Sequence, residues 1–181
     1  MSSVAKNNKF NYAFIDSQNL NLEIQRLGWK LDFKRFKVYL KDKYKAEKVF
    51  LFIGYIKENK VLYRFLKKCG YILIFKQIIK DNNGKIKGNV DAELVLQSMI
   101  EYNNYDKAII VSSDGDFNCL IKYLLKKNKL LVLLAPNFYK CSVLLKKTLF
   151  STDPKKYIVF LNRLKNKLEY KKTRPERPGC F

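Results

Sequence analysis

Five short, mostly continuous apolar runs, each separated from the next by a helix-patterned stretch, set the limits on what this chain can fold into. They are Tyr12-Ala-Phe-Ile15, Lys48-Val-Phe-Leu-Phe-Ile-Gly54, Tyr71–Ile79, Ala108–Val111 and Leu130-Leu-Val-Leu-Leu134. A strand with one wet face alternates apolar and polar residues, whereas a strand covered on both faces does not. Strands of the second kind alternating with helices predict a mainly parallel sheet with helices on both sides, a three-layer α/β/α sandwich. The 181 residues suffice for one such core.

The connecting stretches carry helix signals. Asn19–Leu27 has helical apolar spacing and stops at Gly28. Asp32 is placed to cap a helix with Phe33, Phe36 and Leu40 on one face and Lys34, Lys37 and Lys41 on another. Further helices are expected over Asn59–Cys69, closed by Gly70, and over Val90–Tyr102. Another carries Phe117, Leu120, Ile121 and Leu124 on one face, and two more fall near Tyr139–Thr148 and Lys155–Tyr170. Asp81-Asn-Asn-Gly84 reads as a turn before the basic segment Lys85-Ile-Lys-Gly88. The expected organisation is a flexible start over residues 1–9, one domain over 10–170 and a flexible basic tail over 171–181.

Within this frame the acids stand out. The chain has 37 basic against 16 acidic residues, a net charge of +21, so a polyanionic partner is expected. Yet Ala108–Val111 runs into Ser112-Ser113-Asp114-Gly115-Asp116, and the first strand ends on Asp16. Asp91 opens the Val90–Tyr102 helix, where the helix dipole also favours a carboxylate. Asp91 and Glu93 lie about 200° apart around a helix, so only one of them faces a given site. Asp91 lies in line with Leu94, Val95 and Ser98 and is preferred, with Glu93 the lesser candidate. Ligands of open α/β sheets collect at the carboxyl ends of strands, and carboxylates gathered there repel unless cations neutralise them. Hard oxygen donors suit Mg²⁺ or Mn²⁺. Each residue also has a plainer reading: Asp114 can cap the helix that begins near Gly115, and Asn19 the one that begins at Leu20.

What is missing narrows the chemistry further. There is no histidine, so Ser-His-Asp and Cys-His machinery is excluded. The four cysteines share no ligand spacing, which argues against zinc. No apolar window is long enough for a membrane span and the start has no signal-like region, so a cytoplasmic protein away from membranes is expected.

Three blocks together resemble the signatures of the NYN domain family, in order and spacing: Tyr12-Ala-Phe-Ile-Asp-Ser-Gln-Asn-Leu20, Lys87-Gly-Asn-Val-Asp-Ala-Glu-Leu-Val95 and Ile110-Val-Ser-Ser-Asp-Gly-Asp-Phe117. That family is the branch of PIN-like nucleases that includes the LabA-like (DUF88) proteins. The resemblance spans about residues 10–150 and implies a PIN-like fold with metal-dependent ribonuclease chemistry. Carried over by position, the acidic site is Asp16, Asp91, Asp114 and Asp116, with Asn19 supporting the first. Many relatives have glycine at the place of Ser17 and a different Ser112–Asp116 turn, but neither departure removes a carboxylate.

The expected activity is hydrolysis of an RNA phosphodiester, with one or two Mg²⁺ or Mn²⁺ ions and 5′-phosphate products. Ser112 and Ser113 are expected to orient groups around the ions. Lys87, Gly88 and Asn89 are expected to touch the nucleic acid, Gly88 by allowing close backbone approach. Single-stranded RNA fits splayed bases and stacking aromatics, for which Trp29, Tyr55 and Tyr139 are candidates. Targeting falls to the domain surface, to a homodimer or to a protein partner. Two alternatives stay open: a non-catalytic RNA- or partner-binding module of the same fold, and a Toprim-type enzyme, which would need glutamate where Asp16 stands. A haloacid dehalogenase-type phosphatase needs Asp-x-Asp on its first strand, which Asp16-Ser-Gln lacks.

Overall fold

The apolar runs assemble around the first of them. In the computed structural model, which describes residues 10–76, 79–80, 86–87 and 90–171, β1 (Asn11–Asp16) lies in the interior of a six-stranded sheet. It is followed by α1 (Ser17–Arg26), α2 (Phe33–Tyr44), β2 (Ala46–Gly54), α3 (Lys60–Lys68) and β3 (Ile72–Lys76). The second half comprises a two-residue antiparallel pair, β4 (Ile79–Lys80) and β5 (Ile86–Lys87), then α4 (Asp91–Ile100), β6 (Ala108–Val111) and α5 (Asn118–Lys126). It ends with β7 (Leu130–Ala135), α6 (Val143–Phe150), α7 (Pro154–Tyr157), β8 (Ile158–Phe160) and α8 (Lys165–Leu168). The expected turn over 81–84, the start over 1–9 and the tail beyond 171 lie outside the described residues.

The sheet order is β3-β2-β1-β6-β7-β8, and every pairing in it is parallel. The chain builds outward from β1 to β3, then returns to pair β6 with the other edge of β1. The order therefore reverses between β1 and β6, where open α/β sheets bind their ligands. Side-chain alternation sorts the core into two layers. Tyr12, Phe14, Phe50, Phe52 and Ile110 pack with Leu94 of α4, Leu120 of α5 and Leu145 of α6. Ala13, Ile15, Leu51, Ile109 and Val111 pack on the other face with Leu20 and Ile24 of α1, Phe36 of α2 and Leu66 of α3. Gly28 and Gly70 end their helices with φ of 78° and 88°, conformations that a side chain disfavours.

Two expectations need correction. The stretch from Lys155 to Tyr170 is not one helix: Ile158-Val159-Phe160 forms a sixth strand paired with β7, Leu133 opposite Ile158 and Ala135 opposite Phe160. Its β-branched and aromatic residues suit a strand that drops Ile158 and Phe160 into one core and Val159 against the other. The run Tyr71–Ile79 is also not one strand, because β3 stops at Lys76 and Ile79 belongs to the small β4–β5 pair. The helix expected near Tyr139 starts at Val143, capped by Ser142. No helix among the described residues is long and apolar enough to cross a membrane.

Phe14 shows how tightly the centre is built, with its ring stacked on Phe50 at 5.3 Å and edge-on to Tyr105 at 5.7 Å. Phe14→Ala should lower unfolding free energy by about 3–5 kcal/mol in urea titration.

Candidate metal centre

Register places the first carboxylate. Ile15 of β1 pairs with Val111 of β6, so the residues that follow, Asp16 and Ser112, emerge side by side at the carboxyl edge. Asp16 has the same parity as Tyr12 and Phe14, whose face is covered by α4, and α4 begins at Asp91. Carboxylate oxygens of Asp91, Asp114 and Asp116 come within 4.8 Å of one another. Asp16 is not in that trio, but with Asp91 and Asp114 it lines one cavity of about 340 Å³. Gln18, Asn19, Leu22 and Val90 complete the wall.

Local hydrogen bonds fix these side chains. Asp16 caps α1: its Oδ1 accepts from the Asn19 backbone N–H at 3.1 Å. Its Oδ2 accepts from the Ser112 hydroxyl at 3.3 Å, and that hydroxyl accepts the Asp114 N–H at 3.1 Å. The Asn19 amide oxygen accepts the Ser113 N–H at 2.8 Å, tying α1 to the loop after β6. Asp114 Oδ1 accepts the Asp116 N–H at 3.0 Å and so caps the turn Gly115–Phe117 that leads into α5. Capping and ion binding are therefore not rivals at this edge. The caps orient the Asp16 and Asp114 carboxylates, and a carboxylate that accepts one or two hydrogen bonds keeps lone pairs for a ligand. Asn19 does not cap a helix with its side chain, because α1 starts two residues earlier, at Ser17.

Burial pushes the Asp16 carboxyl up from its ordinary 3.8 to about 6, and the charges of Asp91 and Asp114 push the same way. The Asn19 N–H and Ser112 hydroxyl oppose the shift without cancelling it. Among the described residues, no lysine or arginine lines the cavity. Clustered oxygen donors, partly buried and short of positive charge, fit a hard divalent cation. The buried hydroxyl of Ser113 has no hydrogen-bond partner among the described residues, a further unused oxygen at this edge.

Gly115 has a role that its turn position does not reveal. Its φ is not positive; instead a Cβ there would lie 2.5 Å from the Ser142 hydroxyl oxygen. Ser142 caps α6 through the Leu144 N–H at 3.2 Å, and its own N–H donates to the Ser113 carbonyl at 3.0 Å. The acidic loop is thus clamped against the start of α6. Ser142 before Val143-Leu-Leu is a legible cap in sequence, but its contact with Gly115 is not. Glu23 escaped sequence reasoning too. It is buried in α1, ion-paired with Arg26 and accepts from the Asn137 amide at 3.2 Å, joining α1 to the loop after β7.

The other candidates divide. Glu93 turns away from the trio to an ion pair with Lys76 at 3.1 Å, while Leu94 and Ser98 are buried below Asp91. Gly88, Asn89 and the side chain of Lys87 lie outside the described residues. Trp29 is 5% exposed and packs in the core with Leu31 and Leu168, so it is not open to a base. Tyr55 and Tyr139 are exposed.

A parallel sheet with an acidic cavity at its switch point, flanked by helices on both faces, is a PIN-like α/β architecture. The sequence profile of the NYN domain matches residues 12–153, and the chain belongs to that family. Membership implies a PIN-like nuclease fold, with which the three clustered acids are compatible. In structure the chain is similar to a crystal structure of a protein of unknown function from Vibrio parahaemolyticus, with a TM-score of 0.70. The two are 18% identical, and the match covers 87% of this chain and 96% of the other. No curated protein sequence matches significantly.

Two measurements probe this architecture. Because the folded-state value of Asp16 is raised, its contribution to stability is present below pH 3.8 and lost as pH rises through about 6. In EDTA, Asp16→Asn should therefore be more stable than the parent chain at pH 7.5, with a ceiling of roughly 3 kcal/mol, and the gap should close towards pH 4. Equal stabilities at both pH values in urea titration would refute the assignment. Gly115→Ala should weaken the rise in melting temperature produced by Mn²⁺, and adding Ser142→Gly, which removes the clashing hydroxyl, should restore it. A double variant no better than the single one would show that the loop is held by something else.

Proposed function

We propose that the chain is a metal-dependent ribonuclease that hydrolyses phosphodiester bonds of single-stranded RNA, using Asp16, Asp91, Asp114 and Asp116. The convergence of Asp91, Asp114 and Asp116 within 4.8 Å, beside Asp16, carries the reading. One or two Mg²⁺ or Mn²⁺ ions held there would supply Lewis-acid activation of water and neutralise charge at the phosphate. The protein's part is to present the carboxylates already oriented. Asp16 is fixed from two sides by Asn19 and Ser112, and Ser112 also holds the Asp114 backbone. Asp116 is the exposed member of the trio. Asn19 is a positioning residue, acting through its bond to the Ser113 N–H.

The surrounding charge of +21 draws a polyanion, whereas the cavity itself would repel one without a bound cation. Attack by water on the phosphorus with the 3′-oxygen leaving gives a 5′-phosphate and a 3′-hydroxyl and needs no histidine. The test is incubation of labelled single-stranded RNA with the protein in Mg²⁺, Mn²⁺ or EDTA. Cleavage is expected only with a metal ion. Asp16→Asn and Asp114→Asn should each reduce the rate by about 100-fold or more, and Asn19→Ala by about 10–100-fold, the scale of a supporting residue. Cleavage that survives EDTA, or both aspartate variants, sinks the proposal; metal-dependent binding without cleavage would favour the non-catalytic module.

A further inference from the structure

Beside the acidic cavity lies a second cleft of about 420 Å³, between α1 and α3 at the carboxyl end of β2. The two share a wall, since Gln18 and Leu22 line both. The cleft differs in chemistry: 29% of the chain is charged, yet among the described residues no charged side chain lines it. Leu22, Ile53 and Leu62 give it apolar sides. Phe33 adds a ring fixed edge-on by Tyr71 at 6.0 Å and 81°. Gln18 and Asn59 add two amides, each able to donate and accept. Asn59 is placed to cap α3 and is a residue type favoured for that work, but its side chain makes no capping bond. It is left available to the cleft.

A site with a ring, aliphatic walls and amides, and without charge, suits a flat neutral heterocycle and not a phosphate. Resting on the ribonuclease reading above, we propose that this cleft holds one unpaired nucleobase of the RNA strand whose phosphate lies at the acidic cavity. The base packs against Phe33 and Leu62, and Gln18 and Asn59 meet its polar edge. The base would then set the register of the strand relative to the carboxylates. It would also exclude duplex RNA, whose bases are not free to enter.

The test uses binding, so that it does not depend on turnover. In an Asp114→Asn background, a short labelled oligouridylate is compared with an abasic ribose-phosphate chain of the same charge and length. Uncharged recognition predicts tighter binding of the oligouridylate, a preference that Leu62→Trp, which fills the cleft, should reduce about tenfold, the scale of one stacked base. Affinity for the abasic chain should not change. Asn59→Leu serves as a second variant, and thermal melting checks that both fold. Wild-type affinities and preference in both variants would overturn the cleft assignment, even where the parent chain cleaves RNA. Loss of the preference in a chain that never cleaves RNA would uphold the cleft and refute the nuclease reading. A chain that binds neither oligomer sinks both.

Discussion

Everything at the functional edge depends on β1 and β6 lying side by side and parallel. Their register sets Ile15 against Val111, and the two chains leave the sheet together. From that single alignment come the Ser112–Asp16 hydrogen bond, the Asp114 N–H on the same hydroxyl and the Asn19 amide on Ser113. A slip of one residue would turn Asp16 to the α1 side and send Ile15 into the layer that Phe14 fills. The apolar core is therefore what protects the carboxylate geometry. Shifting the acids relative to one another means breaking the alternation of Tyr12, Phe14 and Asp16 against Ala13 and Ile15, which buries both layers.

Against this well-packed frame, Asp16 is held at an energetic disadvantage. A carboxylate 5% exposed, with two others facing it, favours its proton up to about pH 6. The two hydrogen bonds on its oxygens offset only part of that. A capping role alone does not demand such a place, since Asp32 caps α2 through the Arg35 N–H from a more exposed position. The difference between two caps in one chain is therefore informative. Asp32 does only local work, whereas Asp16 stands where its charge is costly, a placement that supports the proposed metal-binding role.

How much of this was legible in the sequence follows from the range of each interaction. Strand runs such as Phe50-Leu-Phe and Ile109-Ile-Val, and caps such as Asp32, are local, and the sequence reading found them. Asp91 could be preferred over Glu93 because helix geometry is also local, and the structure places Asp91 in the trio and Glu93 on Lys76. Ile158-Val159-Phe160 was misread because a three-residue edge strand between short helical turns carries too few residues to show its own period. Trp29 was misread as a stacker because nothing local says which aromatics a core takes up. Gly115 is visible in sequence as the residue between the two aspartates, but the reason that nothing larger stands there is not. That reason is Ser142, twenty-seven positions on in sequence, brought against it by the fold.

The distribution of charge imposes one further condition on the proposed ribonuclease. A chain of +21 attracts RNA, but among the described residues the cavity where the phosphate must sit is lined by carboxylates and by no lysine or arginine. Diffuse attraction delivers the strand; it does not seat it, and at short range the acids oppose the phosphate. A divalent cation reverses the sign of that local contact, so RNA and cation should favour each other's binding at the site. Linkage makes the effect reciprocal: whatever factor the cation adds to RNA affinity, RNA adds to cation affinity. The raised Asp16 carboxyl belongs to the same scheme, because a proton and a cation compete for its oxygens and a seated phosphate favours the cation.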